Sequence, residues 1–213
     1  MEEQVEDKKV FTHSASQEGT ATRLAHIISN ISNPLFVFLP TTLLIVINTT
    51  SNIWSALLWW AVMVVGISFA PLLFIWQGVR RGRYSDHHIS RREQRLVPLL
   101  FGLACVIIVF ILLLFLHASR PLIAVLVALI LVCCISIVVT QYWKISLHLV
   151  GMAGAVTALG VIVGPLFYCL APLVVLVGWA RWQVHAHSVL QAIAGTILAV
   201  SVTLIVCKLF GVY

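Results

Sequence analysis

An arginine and a histidine stand together at the head of the last apolar segment, in the run Arg181-Trp-Gln-Val-His-Ala-His187-Ser-Val-Leu-Gln191. A guanidinium fork grips phosphoryl oxygens in pairs, and an imidazole attacks or moves protons near neutral pH, so the pairing suits phosphate chemistry. A second group lies in Tyr142-Trp-Lys144-Ile-Ser146-Leu-His148, where a lysine, a hydroxyl and an imidazole meet at one edge of an apolar run. A third is the polar stretch 78–95, whose Arg92 and Arg95 are three apart and would share one face of a helix, within reach of one phosphate. Each group also has a plainer reading. The stretch 78–95 can be a solvated loop whose cations set topology and touch anionic lipid heads, and Trp143 with Lys144 can be an interfacial anchor.

The segments that must position these groups cross a membrane. Of the 213 residues, 61% are hydrophobic and 9% charged, and the mean hydropathy is +1.07, which excludes a water-soluble globule of this size. Apolar runs at 27–47, 53–77, 96–117, 121–141, 145–163, 166–180 and 188–210 give seven helical spans, most of them near the roughly 20 residues that a hydrocarbon core requires. The fifth and sixth runs form one stretch, divided at Gly164-Pro165 because proline removes a backbone donor; undivided, they leave six spans. The expected fold is therefore all-α: a polytopic transmembrane helical bundle of six to seven spans over residues 23–213, behind a polar tail at residues 1–22. That tail is mixed in charge and lacks the basic start running into an apolar core that marks a signal peptide, so the first span is expected to remain as an anchor. The five cysteines lie inside spans without metal-ligand spacing and read as reduced packing groups.

Charge sets the orientation. With seven spans, the N-terminus and the second, fourth and sixth loops share one face, which holds Lys8, Lys9, Arg23, Arg80, Arg81, Arg83, Arg91, Arg92, Arg95, Lys144 and Arg181, against Arg120 and Lys208 on the other. The positive-inside rule places the rich face in the cytoplasm. The net charge of +6 then describes topology plus an anionic site, and nothing points to nucleic acid. The same parity brings Arg92 and Arg95, Ser146 and His148, and Arg181 and His187 to one side of the membrane.

In that order and topology the residues resemble the type 2 phosphatidic acid phosphatase superfamily, integral membrane lipid phosphatases related to vanadium haloperoxidases. That family carries Lys, six residues, Arg-Pro; then Pro-Ser-Gly-His; then Ser-Arg, five residues, His, three residues, Asp. Here Arg181 is followed after five residues by His187 and after three more by Gln191; Ser146 and His148 keep the register of the second motif, with Ile145 and Leu147 in place of proline and glycine. In the first motif, Ser85 and His88 stand where lysine would precede Arg92 and Arg95, and Pro98 is displaced from both arginines.

The resemblance implies a phosphatidic acid phosphatase-like core and a phosphohistidine mechanism. His187 would attack phosphorus, His148 would protonate the leaving oxygen and later activate water, and Arg92, Arg95, Arg181 and Ser146 would hold the phosphoryl oxygens. Gln191 stands where the family has the aspartate that accepts the nucleophile's other N–H. It can still accept through its amide oxygen but adds no charge, and His185 and Ser188 are alternative supports for His187. No metal or other cofactor is needed for this chemistry. A divalent ion at Asp86, Glu93 and the His87-His88 pair is a second thought.

The expected substrate is a phosphorylated membrane lipid, either a prenyl phosphate or diphosphate or a phosphatidic acid-like glycerolipid, which the sequence does not separate. The small residues Gly151, Ala153, Gly154, Ala155, Ala158 and Gly160 leave room for a chain or serve close helix packing. A catalytically silent relative that binds lipid or serves as a structural membrane subunit is the alternative function. A transporter is a third, disfavoured because the spans hold almost no ionisable residue.

Overall fold

The computed structural model describes residues 19–85 and 94–212, and among these it contains helices and no strand. The helices are α1 (Thr20–Ile31), α2 (Pro34–Thr49), α3 (Ile53–Met63), α4 (Ala70–Arg80), α5 (Leu96–Phe115), α6 (Arg120–Tyr142), α7 (Leu147–Ile162), α8 (Ala171–Gln183) and α9 (Val189–Leu209). A π-helical turn, Val64–Phe69, joins α3 to α4. Pro71 has no N–H to return to the Ile67 carbonyl, so the regular ladder cannot continue there, and the wider turn takes up the mismatch. A 3-10 turn, Pro165–Leu170, leads into α8 and follows the break expected at Gly164-Pro165.

Five runs are long and apolar enough to cross a bilayer: Ile53–Arg80, Leu96–Phe115, Arg120–Tyr142, Pro165–Gln183 and Val189–Leu209. The count falls below the seven read from hydropathy for two reasons. The first expected span, 27–47, is broken, because α1 and α2 meet at 53°. Pro34 opens α2 and pushes the preceding residue out of helical geometry, and the Asn33 side chain caps the new start by accepting the Leu35 N–H at 3.0 Å. If that bent pair is one span, there are six. The other reason is α7, which has 16 residues, short of the roughly 20 that a full crossing needs.

What α7 lacks in length it makes up in burial. His148, Leu149, Val150, Ala153, Val156, Thr157, Ala158, Leu159 and Gly160 are all buried, and the helix packs against α2, α8 and α9. Large apolar side chains on the other helices, among them Ile108, Phe115, Val138, Val175 and Ile205, face outward, as lipid contact requires. Between helices in lipid there is little hydrophobic driving force, so close packing through small residues must hold the bundle together. Ala153 on α7 and Ala199 on α9 share one cluster. One turn nearer the helix starts, a Cβ on Gly195 would lie 2.8 Å from the Ser146 carbonyl oxygen. That atom is backbone and cannot swing away. Gly195→Ala is therefore expected to force apart the starts of α7 and α9 and to lower stability by about 1–3 kcal/mol, read as a drop in Tm in detergent; an unchanged Tm would mean the two helices can slide.

Candidate functional site

At one end of the bundle α5, α7 and α9 begin, and α1 and α8 end. Arg95, Ser146 and Ser188 occupy the N-cap positions of α5, α7 and α9, where Ser188 alone makes a side-chain capping bond, while Arg181 lies in the last turn of α8. Helix starts expose unpaired N–H groups and the positive end of the dipole, so this end favours an anion.

The short link between α8 and α9 explains the spacing of Arg181 and His187. After α8 stops, His185 takes a left-handed conformation with φ 52°. The chain then folds back, so that the amides of Ala186 and His187 both donate to the Arg181 carbonyl, at 3.0 and 3.2 Å. Such a turn satisfies carbonyls that a helix end leaves orphaned. It also locks Arg181 and His187 to one another through the backbone. His185 thus shapes the turn rather than holding the His187 ring.

The side chains of Arg95, His148, Arg181 and His187 line one cavity of about 240 Å³. Each is no more than 6% exposed, so the charges sit in a poorly hydrated cleft rather than on a solvated surface. The rest of the wall is mostly apolar and comes from α2, the π-helical segment, α4, α5, α6 and α7, with Phe38, Ile67, Leu72, Val106, Leu129 and Val150 among its residues. A second cavity of about 120 Å³ continues along α7 to Gly154, Ala155 and Ala158, and it shares Pro34, Phe38, Leu129, Val132, Val150 and Gly151 with the first. The small-residue face of α7 therefore divides. Gly160 packs under the Tyr168 ring and Ala153 joins the core, while Gly151, Gly154, Ala155 and Ala158 border open volume.

Hydrogen bonds define the protonation of both histidines. The Gln191 side chain belongs to a capping box, its Oε1 accepting the Ser188 N–H at 3.1 Å while the Gln191 N–H donates to Ser188 Oγ at 3.3 Å. A backbone N–H only donates, so the amide oxygen must face it. The same oxygen lies 3.2 Å from His187 Nδ1, which must then carry the proton, leaving the lone pair on Nε2. His148 has the opposite arrangement. Its Nε2 lies 3.1 Å from the Ser29 carbonyl oxygen, a pure acceptor, so Nε2 holds the proton and Nδ1 is the basic nitrogen.

His187 remains neutral at physiological pH. Burial, then the charges of Arg181, Arg95 and Lys144, push its pKa down to about 3, while the bond to Gln191 pulls it weakly the other way. A neutral ring with Nε2 unprotonated is the form a nucleophile needs. Gln191→Leu removes the Nδ1 acceptor and is expected to lower kcat of any reaction through His187 by about 10²–10⁴-fold, the upper figure being the loss for an aspartate-to-amide change in a Ser-His-Asp triad. Gln191→Glu keeps the reach and adds charge, and is expected to match or exceed the native kcat. A native rate in Gln191→Leu would remove Gln191 from the mechanism.

Of the residues singled out by sequence, Arg95, His148, Arg181 and His187 meet in the cavity, and Gln191 supports His187 from behind. Ser146 does not join them. Its side chain is fully buried, is not among the cavity-lining residues, and its Oγ has no hydrogen-bond partner. Arg92, with Asp86, His87, His88 and Glu93, lies outside the described residues. Among those described, no three His, Cys, Asp or Glu side chains are grouped to hold a metal.

Sequence reasoning missed Ser29. Its hydroxyl accepts from Arg181 Nη1, and its carbonyl accepts from His148. The available signal was the spacing of Ala25, Ser29 and Ser32, a small-residue face at helical periodicity. Lys144, which the sequence groups with Ser146 and His148, acts on His187 through its charge. Comparison with protein families, with curated proteins and with solved structures found no match.

Proposed function

We propose that the protein is a lipid phosphate phosphatase that hydrolyses a phosphomonoester or diphosphate of a membrane lipid through a phosphohistidine intermediate. One observation carries the reading: Arg95, Arg181, His148 and His187 line the polar part of a cavity whose remaining wall is hydrocarbon-like. An amphiphile with one anionic head matches that distribution. Phosphoryl transfer asks little of a protein beyond alignment and neutralisation of the equatorial oxygens, and two buried guanidiniums beside helix starts supply both.

In the proposed sequence, His148 enters as the imidazolium, with Nε2–H kept on the Ser29 carbonyl; His187 Nε2 attacks phosphorus and the lipid oxygen departs with the proton from His148 Nδ1, which leaves that nitrogen free as the base for the next step. Water, deprotonated by His148, then cleaves the phosphohistidine and frees inorganic phosphate. Burial, and then the cationic cluster, keeps His187 neutral before attack, and the anionic phosphoryl group would offset the positive charge that develops on the ring. The basic side of the membrane, and with it the site, is assigned to the cytoplasm by the charge distribution.

Detergent-purified protein offered phosphatidic acid and farnesyl diphosphate, with and without EDTA, tests this reading. Release of phosphate that resists EDTA and is lost in His187→Ala is the expected outcome. A folded protein that releases none from a panel of glycerolipid and prenyl phosphates would sink the hydrolase reading in favour of a silent lipid-binding relative.

A further inference from the structure

Helix α1 is divided lengthwise into three faces. Ala25 and Ser29 are buried against the protein, Leu24, Ile27 and Ile31 form an exposed apolar stripe, and Arg23, His26 and Asn30 lie on an exposed polar face. A short helix with protein, oil and water faces is suited to the membrane interface. It packs on α8, the helix that ends with Arg181.

From its buried face Ser29 makes two contacts that bear on function. A guanidinium can only donate, so the Ser29 hydroxyl is the acceptor for Arg181 Nη1. The Ser29 carbonyl lies in the last turn of α1, where a helix leaves its carbonyls without an intrahelical partner. It accepts from His148 Nε2 at 3.1 Å and from Ser32 Oγ at 3.4 Å. An acceptor on the far ring nitrogen fixes the tautomer and raises the basicity of the other. One residue thus orients both the oxygen-gripping arginine and the acid–base histidine, which lie on separate helices.

We propose that Ser29 is a positioning residue of the phosphate site, and that α1, seated at the membrane interface, completes the site by holding Arg181 through the Ser29 hydroxyl and His148 through the Ser29 carbonyl. The proposal rests on the phosphate-site reading above, though not on turnover. Ser29 neither lines the cavity nor touches the reacting atoms. Its effect passes through Arg181 and His148.

The test is a double-mutant cycle on the full-length protein in detergent, with Ser29→Ala, Ser29→Thr, Arg181→Ala and the Ser29→Ala/Arg181→Ala pair. Two quantities are measured: affinity for inorganic phosphate by calorimetry, and kcat/KM for lipid phosphate hydrolysis. Loss of a supporting contact of this kind costs about 10–100-fold in comparable sites. Ser29→Ala is expected to weaken phosphate affinity and kcat/KM in that range, Ser29→Thr to restore both, and Ser29→Ala to add nothing once Arg181 is absent. A merely structural serine would lower Tm and act equally in both backgrounds, and additive losses of that kind overturn the proposal, as do native values in Ser29→Ala. Phosphate binding with the expected coupling but no turnover would sink the hydrolase reading and leave the role of Ser29 standing. A native protein that binds no phosphate overturns both.

Discussion

His187→Ala is expected to lower the proposed lipid phosphate hydrolysis by at least about 10⁴-fold, because loss of the proposed covalent nucleophile leaves only the contribution of binding and electrostatics. Alanine leaves the backbone bond from the His187 amide to the Arg181 carbonyl in place, so the turn and the cavity should survive. The loss is then chemical. With phosphate-labelled lipid, acid-labile label should be trapped on the native chain and be absent from His187→Ala. Label that persists in the variant would assign the nucleophile elsewhere.

The same residue sets a pH signature. An unfolded His187 takes up its proton near pH 6.5, whereas the folded one resists protonation until about pH 3. Below pH 6.5 the unfolded state therefore binds more protons, and stability is lost as pH falls through that window. His187→Gln should flatten the decline in Tm between pH 6.5 and 4. For the proposed hydrolysis, the acid limb of kcat/KM should not fall near 6.5 on account of His187, since the free protein keeps this ring neutral far below that pH.

Arg181→Ala is expected to cost about 10³-fold in kcat/KM, the scale seen when a preorganised cation or donor is removed from a transition-state anion. Arg181 has two roles, and the substitution separates them. Its carbonyl terminates α8 by accepting two amides, a function any residue retains, while its guanidinium faces the cavity and bonds Ser29. The loss in Arg181→Ala therefore reports on the guanidinium. Arg181→Lys should recover only part of it, because an ammonium is a point charge without the bidentate fork. Arg181 is also the largest charge holding the His187 pKa down, so in Arg181→Ala the acid limb should move upward. A native rate with an unmoved limb would remove Arg181 from the site.

Hydropathy and charge by themselves determined much about this protein: a helical membrane bundle, the break at Gly164-Pro165, and a common side for Arg95, His148, Arg181 and His187. Those features follow from local composition and from counting crossings, which a one-dimensional pattern contains. The pattern also suggested an uninterrupted first span at 27–47 and a full crossing at α7. An apolar run reports burial or lipid contact alike, so it could not tell a helix bent at Pro34 from a straight span, nor show that α7 has only 16 residues and is enclosed by its neighbours. Tertiary structure alone decided which nitrogen of each histidine carries the proton, the exclusion of the Ser146 side chain from the cavity wall, and the entrance of Ser29. The contacts from Ser29 join residues 119 and 152 positions apart. No periodicity encodes them, because they arise where the end of one helix meets the start of a second and the last turn of a third.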